Sequence, residues 1–399
     1  LTMAGPPMSG GAVLVEGDRV AAIGTRADVM RRAPDVRVRD WPGILMPGLV
    51  NAHAHLQYGP SFADLATSGL PFAQWIAELT RRKRAMTETS WQVDARVSAH
   101  QLLRSGTTAV ADLVGYAAPI TVTTSLGLQG ISYAELAGVD ANRWPTARDE
   151  LERLLGTPGR ERGVSPHTLY TLSTQVFRDI VALARERGLR LHPHLAETAD
   201  EAEWVMSGGG AFGEMTERFG FAFELHGTGA GVSPTRHCDD LGGLGPDVHI
   251  AHGVHVDAAD RALLRQRETT VALCTRSNKI LQAGEAPVAA YLSEGSPVAI
   301  GTDSLASSPD LDLLAEAKAT RDLAKRQGLH HPEERIVEAL TVGGAQALGQ
   351  EIGTLREGGR ADLAAFDVPV EGDPFVNLLE HGAGRCVVTV LGGRLVHRR

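Results

Sequence analysis

The chain has 399 residues, a formal net charge of −9, and 43% hydrophobic and 22% charged residues. That length accommodates two or three ordinary domains, or one large α/β barrel with a small companion, and the composition is that of a globular enzyme with a sizeable core. The mild acidity, with no basic stripe along the sequence, excludes nucleic acid as the expected partner.

Short β-like runs open the chain. Residues 12–16 (AVLVE) and 19–23 (RVAAI) flank Gly17-Asp18, a two-residue hairpin signal. Eight apolar runs follow, at 44–50, 107–113, 130–136, 164–169, 189–195, 248–252, 270–274 and 298–301. Longer helical stretches separate them, for example 91–104, 174–188 and 258–266. Eight β/α alternations predict a closed parallel (β/α)8 barrel of the TIM type. An open doubly wound sheet is the alternative, but no Gly-rich phosphate loop follows the first strand. Two Gly-rich segments, 207–213 and 225–245, read as loops on the functional rim. Near the end, 362–367, 386–391 and 394–396 repeat the strand grammar of the start, the last two flanking Gly392-Gly393. Neither end can bury a sheet face alone. Both termini are therefore expected to pair into one small β-sandwich, residues 1–46 and 349–399, beside a barrel of residues 47–348.

Cys238, Cys274 and Cys386 are too few and too dispersed for a disulfide framework or a CxxC metal site, which favours a reducing compartment. No run approaches the roughly 20 apolar residues of a membrane span, and no signal-peptide pattern opens the sequence. No membrane partner and a cytoplasmic location are the expectations.

In such a barrel the chemistry sits at the C-terminal ends of the strands. The first strand runs into "NAHAH", whose His53 and His55 share one face in an extended chain. The fifth ends in His194 with Glu197 three residues on, the sixth in His252, and the eighth in Asp303. A lone strand-end histidine is commonly a hydrogen-bonded rim residue, and an Asp after Gly-Thr is commonly a helix cap. Their joint arrival at one rim is what chance does not supply. Three neutral imidazoles and one carboxylate suit one borderline divalent ion, zinc or ferrous iron, with a position left for water. Glu197 stands near that ion as a proton shuttle, and His252 would hydrogen-bond the attacking water or polarise the group under attack. No lysine occurs between Lys83 and Lys279, so a carbamylated lysine on the fourth strand cannot bridge a second metal. His192 reads as structural because Pro193 breaks the strand geometry; His249 reads as buried within its strand.

The motifs PGLVNAHAHL, HLAE, IAHGVHVD, CTRSN and GTDSLAS occur in an order and spacing that resemble the amidohydrolase superfamily. The likeness lies in the branch of mononuclear aminohydrolases acting on purines, adenosine-like nucleosides and triazines, and it covers nearly the whole chain. It implies that His53, His55, His194 and Asp303 hold the metal, that Glu197 protonates a ring nitrogen, and that His252 orients the attacking water. Asp303 would also carry a proton from that water to the leaving amine. The reaction implied is hydrolytic deamination of an aromatic carbon, releasing ammonia.

Within the branch, CTRSN followed by GTDSLASSPDLDLL is most similar to the aminodeoxyfutalosine deaminases, which convert 6-amino-6-deoxyfutalosine to futalosine on a route to menaquinone. Deaminases of adenosine, methylthioadenosine or S-adenosylhomocysteine, and triazine hydrolases, are the alternatives. The first of these substrates joins a purine nucleoside to a benzoate, so the likeness implies a cation facing a carboxylate. Arg276 and the run Arg81, Arg82 and Arg84 are the candidates, with Arg82 and Arg276 preferred. Trp75 and His167 are expected to line the pocket. A glutamate that grips the ribose in S-adenosylhomocysteine deaminases falls near Arg84 here, which leaves ribose recognition unassigned. Relatives suggest a homodimer.

Overall fold

The structure, a computed structural model, describes residues 1–399. The predicted hairpin forms at the start: β1 (Gly11–Glu16) and β2 (Arg19–Thr25) pair antiparallel about Gly17-Asp18. The apolar run at 44–50, expected as one strand, is divided between two sheets. β3 (Ile44–Pro47) and β4 (Leu49–Ala54) are separated only by Gly48. A Cβ at Gly48 would stand 2.1 Å from Thr108 Oγ1, so only glycine lets the chain change sheets there.

β4 begins the barrel. It continues through β5 (Thr107–Val114), β6 (Ser132–Leu136) and β7 (Arg162–Pro166), each parallel to the last. A second parallel set holds β8 (His194–Leu195), β9 (His249–His252), β10 (Thr270–Leu273) and β11 (Val298–Ile300). Parallel bridges join the two sets on both sides, Val164 with Leu191 and Ala54 with Asp303. The eight strands therefore surround one axis, as the alternation of the sequence predicted. Their residues are almost wholly buried, because helices cover the outside and side chains fill the inside. The fifth strand is much shorter than the expected 189–195: Pro193 has no N–H to give the ladder, and only Leu191 bridges before it.

After the barrel come β12 (Leu363–Phe366), β13 (Cys386–Leu391) and β14 (Arg394–Arg398). With β3 they form one antiparallel sheet in the order β14-β13-β12-β3. The N-terminal hairpin docks on the same region, Val20 N–H donating to Gly359 O at 2.9 Å and Ala361 N–H to Asp18 O at 2.8 Å.

The two Gly-rich segments are not simple loops. Gly208, at φ 72°, ends the helix Ala199–Ser207, and a new helix, Gly210–Phe219, starts at once. Phe212, Met215 and Phe219 recur at helical spacing, and the Phe212 ring stacks on Tyr170 with centroids 3.7 Å apart. A further helix, Pro234–Asp240, interrupts the second segment behind the Ser233 cap. No helix is long and apolar enough to cross a membrane.

Candidate metal centre and active site

β4 carries His53 and, one residue past its end, His55, both buried. Asn51 fixes their approach: its Oδ1 accepts from the N–H groups of His53 and Thr302, each at 3.2 Å, and its Nδ2 donates to Thr302 Oγ1 at 2.7 Å. One asparagine thus ties β4 to the segment that carries Asp303. The Nε2 atoms of His55 and His194 face each other at 3.1 Å. Asp303 Oδ1 lies 3.8 Å from His53 Nε2 and 3.9 Å from His55 Nε2. Ligand atoms of His53, His55 and His194 all lie within 4.8 Å of one another, as do those of His53, His252 and Asp303.

The donor set fits a metal ion. His53 Nε2 is buried without any hydrogen-bond partner, a cost that a convergent cation would relieve. Burial holds His53, His55 and His194 well below the ordinary imidazole range, so all three rings are neutral and their lone pairs are free. Asp303 receives the Ser277 and Ser307 hydroxyls on Oδ2, each at 2.8 Å, which leaves Oδ1 for the cation.

Hydrogen bonds behind the rings select their tautomers. His192 Nδ1 is 2.8 Å from His249 O, and a carbonyl only accepts, so that nitrogen carries the proton. Burial drives His192 down to about 3, so its ring is neutral and Nε2 is bare. His53 Nδ1, 2.9 Å away, donates to it and keeps its own Nε2 bare. His194 Nδ1 likewise donates to His167 O at 3.3 Å. His192, read from sequence as a structural residue, is the direct support of a metal-facing histidine.

Glu197 and His252 stand beside this set, Glu197 Oε1 3.6 Å from His252 Nε2. Burial, then the nearby Asp303 charge, raises the Glu197 carboxyl well above its ordinary range, so it keeps a proton near neutrality. His252 is pushed down by burial, against the opposing pull of Asp303 and Asn278. Its Nδ1 is 2.8 Å from Asn278 Oδ1. Ala196, His252 and Asp303 all adopt positive φ (53°, 75° and 57°), each at the C-terminal end of a barrel strand, where strained backbone re-aims side chains. Glu201 pins the first of these turns, accepting from Ala196 N–H at 3.1 Å and Glu197 N–H at 2.8 Å. In the sequence Glu201 carries no catalytic signature, and its one signal is the helix-start pattern of Thr198 followed three residues later by a glutamate.

The centre lies at the floor of a cavity of about 1100 Å3, counting its open mouth. Trp75 and His167 are among the residues that line it. Trp75 Nε1 donates to Ala306 O at 3.2 Å, and His167 Nδ1 is 2.9 Å from Thr171 Oγ1. Arg82 and Arg276 do not reach the cavity, which corrects the expectation that they face a substrate carboxylate. Arg82 is held by Asp64 and, at 2.8 Å, by Glu78. Arg276 makes a two-pronged pair with Asp310 at 2.9 and 3.0 Å. The cations that do line the cavity are Lys83 and Arg84. Glu135 lines it too; burial pushes its carboxyl up to about 7. Aromatic rings of Phe72, Phe219 and Phe221 form much of the remaining wall.

Comparison with known proteins agrees with this arrangement. The amidohydrolase family matches residues 44–396, and an imidazolonepropionase-like composite domain of bacteria matches residues 11–35. The 5-methylthioadenosine/S-adenosylhomocysteine deaminase of Thermococcus onnurineus is 30% identical over 367 residues, which are 89% of this chain and 80% of that protein. The aminodeoxyfutalosine deaminase of Deinococcus radiodurans is 31% identical over 368 residues, 89% of this chain and 85% of that one. The aminofutalosine deaminase of Helicobacter pylori, solved with methylthio-coformycin, superimposes with a TM-score of 0.82 at 19% identity, over 98% of this chain and 95% of that chain, which establishes a shared fold. With the donor set, the barrel and this breadth of likeness together, the chain belongs to the amidohydrolase family and is a hydrolytic deaminase.

Proposed function

We propose that the chain deaminates the adenine ring of a nucleoside, with 6-amino-6-deoxyfutalosine as substrate and futalosine and ammonia as products. The observation that carries this reading is the buried pair of Glu197 and His252 beside the His53, His55, His194 and Asp303 donors, at the floor of an aromatic cavity. Those four donors would hold one divalent ion, zinc or ferrous iron. Such an ion lowers the pKa of water toward neutrality.

The chain's own residues carry the protons. Glu197, protonated near neutrality, donates to a ring nitrogen and makes the amine-bearing carbon electrophilic. Asp303, whose carboxylate stands beside the His53 and His55 rings, takes a proton from the attacking water and passes it to the departing amine. His252 hydrogen-bonds that water through Nε2, which has no protein partner.

The aromatic wall of Phe72, Trp75, Phe219 and Phe221 favours a substrate with a second ring beyond the ribose, and Arg84, exposed at the cavity and free of ion pairs, suits a carboxylate there. The same wall accepts a thioether, so 5′-methylthioadenosine and S-adenosylhomocysteine form the second reading, favoured by the name of the Thermococcus relative. A panel of aminodeoxyfutalosine, methylthioadenosine, S-adenosylhomocysteine, adenosine and a chlorotriazine, assayed by ammonia release and loss of adenine absorbance, tests both. The highest kcat/KM on aminodeoxyfutalosine is expected. Turnover of the triazine with every nucleoside inert overturns the proposal.

A further inference from the structure

Glu135 is a buried acid that the deamination steps leave unused. It is the fourth residue of β6, and alternation along the strand sends Tyr133 and Glu135 to the barrel interior. Its side chain is only 6% exposed, yet Oε1 has no hydrogen-bond partner. Oε2 lies 3.9 Å from His55 Nδ1, beyond hydrogen-bond distance. Lys83, the last residue of the helix Phe72–Lys83, lines the same cavity. Its Nζ is 5.6 Å from the centre of the Tyr58 ring, whose hydroxyl helps hold the ammonium charged, and no carboxylate is in ion-pair contact with it. A carboxyl that burial holds near 7 and an ammonium face one cavity without meeting, an arrangement that a hydrogen-bonding ligand completes, offsetting the cost of their burial.

The charges select the ligand. An anion there would be repelled by Glu135, and a cation, a second metal included, by Lys83. A neutral group with both donors and acceptors satisfies the two together, and the hydroxyl is that group. The position agrees: ligand atoms of Glu135, His167 and His194 lie within 4.8 Å of one another, so Glu135 stands on the β6–β7 side of the metal floor. Glu197 and His252 occupy the β8–β9 side, where the base reacts. The sugar of a nucleoside must then lie across from the reacting carbon.

We propose that Glu135 and Lys83 form the ribose subsite, the Glu135 carboxylate accepting from the vicinal hydroxyls and the Lys83 ammonium donating to a hydroxyl oxygen. The subsite rests on the nucleoside reading of the cavity.

The test compares kcat/KM for the best nucleoside with that for its 2′-deoxy and 3′-deoxy analogues, in the wild type, Glu135→Leu, Glu135→Gln and Lys83→Met. Hydrogen bonds to charged groups give an expected wild-type preference for the ribonucleoside of about 10- to 100-fold. In Glu135→Leu that ratio is expected to fall to within about twofold of one, with Glu135→Gln between, because an amide oxygen still accepts but carries no charge. Metal content should equal that of the wild type in every variant. A ribose preference that survives Glu135→Leu and Lys83→Met overturns the subsite. So does loss of metal in Glu135→Gln, which would make the residue a support of His55 instead. Should Glu135→Leu fail to fold, Glu135→Gln and Lys83→Met still decide by the same ratio. A wild type inert on every nucleoside overturns the reading of the substrate itself, and an active wild type blind to the missing hydroxyls overturns the subsite alone.

Discussion

His192 Nε2 lies 2.9 Å from His53 Nδ1, and through that one bond the backbone carbonyl of His249 determines which nitrogen of a metal-facing ring is bare. Without an acceptor behind it, His53 is free to carry its proton on either nitrogen. Loss of such a support typically weakens metal affinity by about 10- to 100-fold. His192→Leu should show that loss in competition with a chromogenic chelator, while His192→Gln, whose Oε1 still accepts from His53, should recover most of it. Equal affinity in Leu and Gln variants would remove the support from His192.

The same histidine gives a pH prediction whose sign is fixed. Burial holds His192 at about 3 in the folded chain, against about 6.5 when unfolded. Between those values the unfolded state binds the extra proton, so the contribution of His192 is fully present above about 6.5 and is lost as pH falls toward about 3. Titrating groups that do not feel His192 cancel when the metal-free wild type is compared with His192→Gln, and the neighbouring rings of His53, His55, His194 and His249, which His192 pushes down when charged, add to the difference. The wild type should lose stability relative to that variant by up to about 1.4 kcal/mol for each pH unit below 6.5. Urea unfolding at pH 7.5, 6 and 5 measures it, and a difference that is flat across this range contradicts it.

Glu197→Gln should separate chemistry from assembly. Gln keeps the volume but has no acidic proton to give a ring nitrogen, and general-acid groups contribute about 10²- to 10⁴-fold. Metal stoichiometry should be unchanged and kcat reduced by that factor, with KM nearly constant. A parallel loss of metal would place Glu197 among the ligands.

What the sequence made legible was whatever chemistry imposes on residue type and local spacing. His53 and His55 two apart, His194 with Glu197 three on, and Asp303 after Gly-Thr meet in space because strand ends of a barrel share one rim. Lys83 was hidden inside the run Arg81-Arg82-Lys83-Arg84: successive helical residues turn by about 100°, so neighbours in that run face different surroundings. Arg82 met Glu78 and Asp64 outside, while Lys83 turned into the cavity. Glu135 sits in an expected strand, SYAEL, that carries no catalytic motif, and only the closure of the barrel shows that its face looks inward. The break at Gly48 was legible as a domain boundary, because Pro47-Gly48 punctuates the run, but not as an end of the strand, because the run from 44 to 50 is apolar on both sides of it. The helix Gly210–Phe219 lay under a glycine-rich composition that concealed the apolar spacing of Phe212, Met215 and Phe219.

Gly301 is the test of how tightly the centre is packed. It follows β11, and a Cβ built on it would stand 2.5 Å from His53 Cβ and 3.1 Å from Cys274 Sγ. His53 cannot retreat, because its backbone N–H is held by Asn51 and its ring by His192. The added methyl therefore has to displace β11 or β4, and overpacking a filled core costs about 1–3 kcal/mol. Gly301→Ala should lower thermal stability by that amount and weaken metal binding as well, since His53 and Asp303 flank the same junction. An alanine far from the site at an open left-handed glycine, such as Gly188→Ala, should lower stability without any change in metal content. If Gly301→Ala binds metal as tightly as the wild type, the contact between β11 and His53 does not set the geometry of the centre.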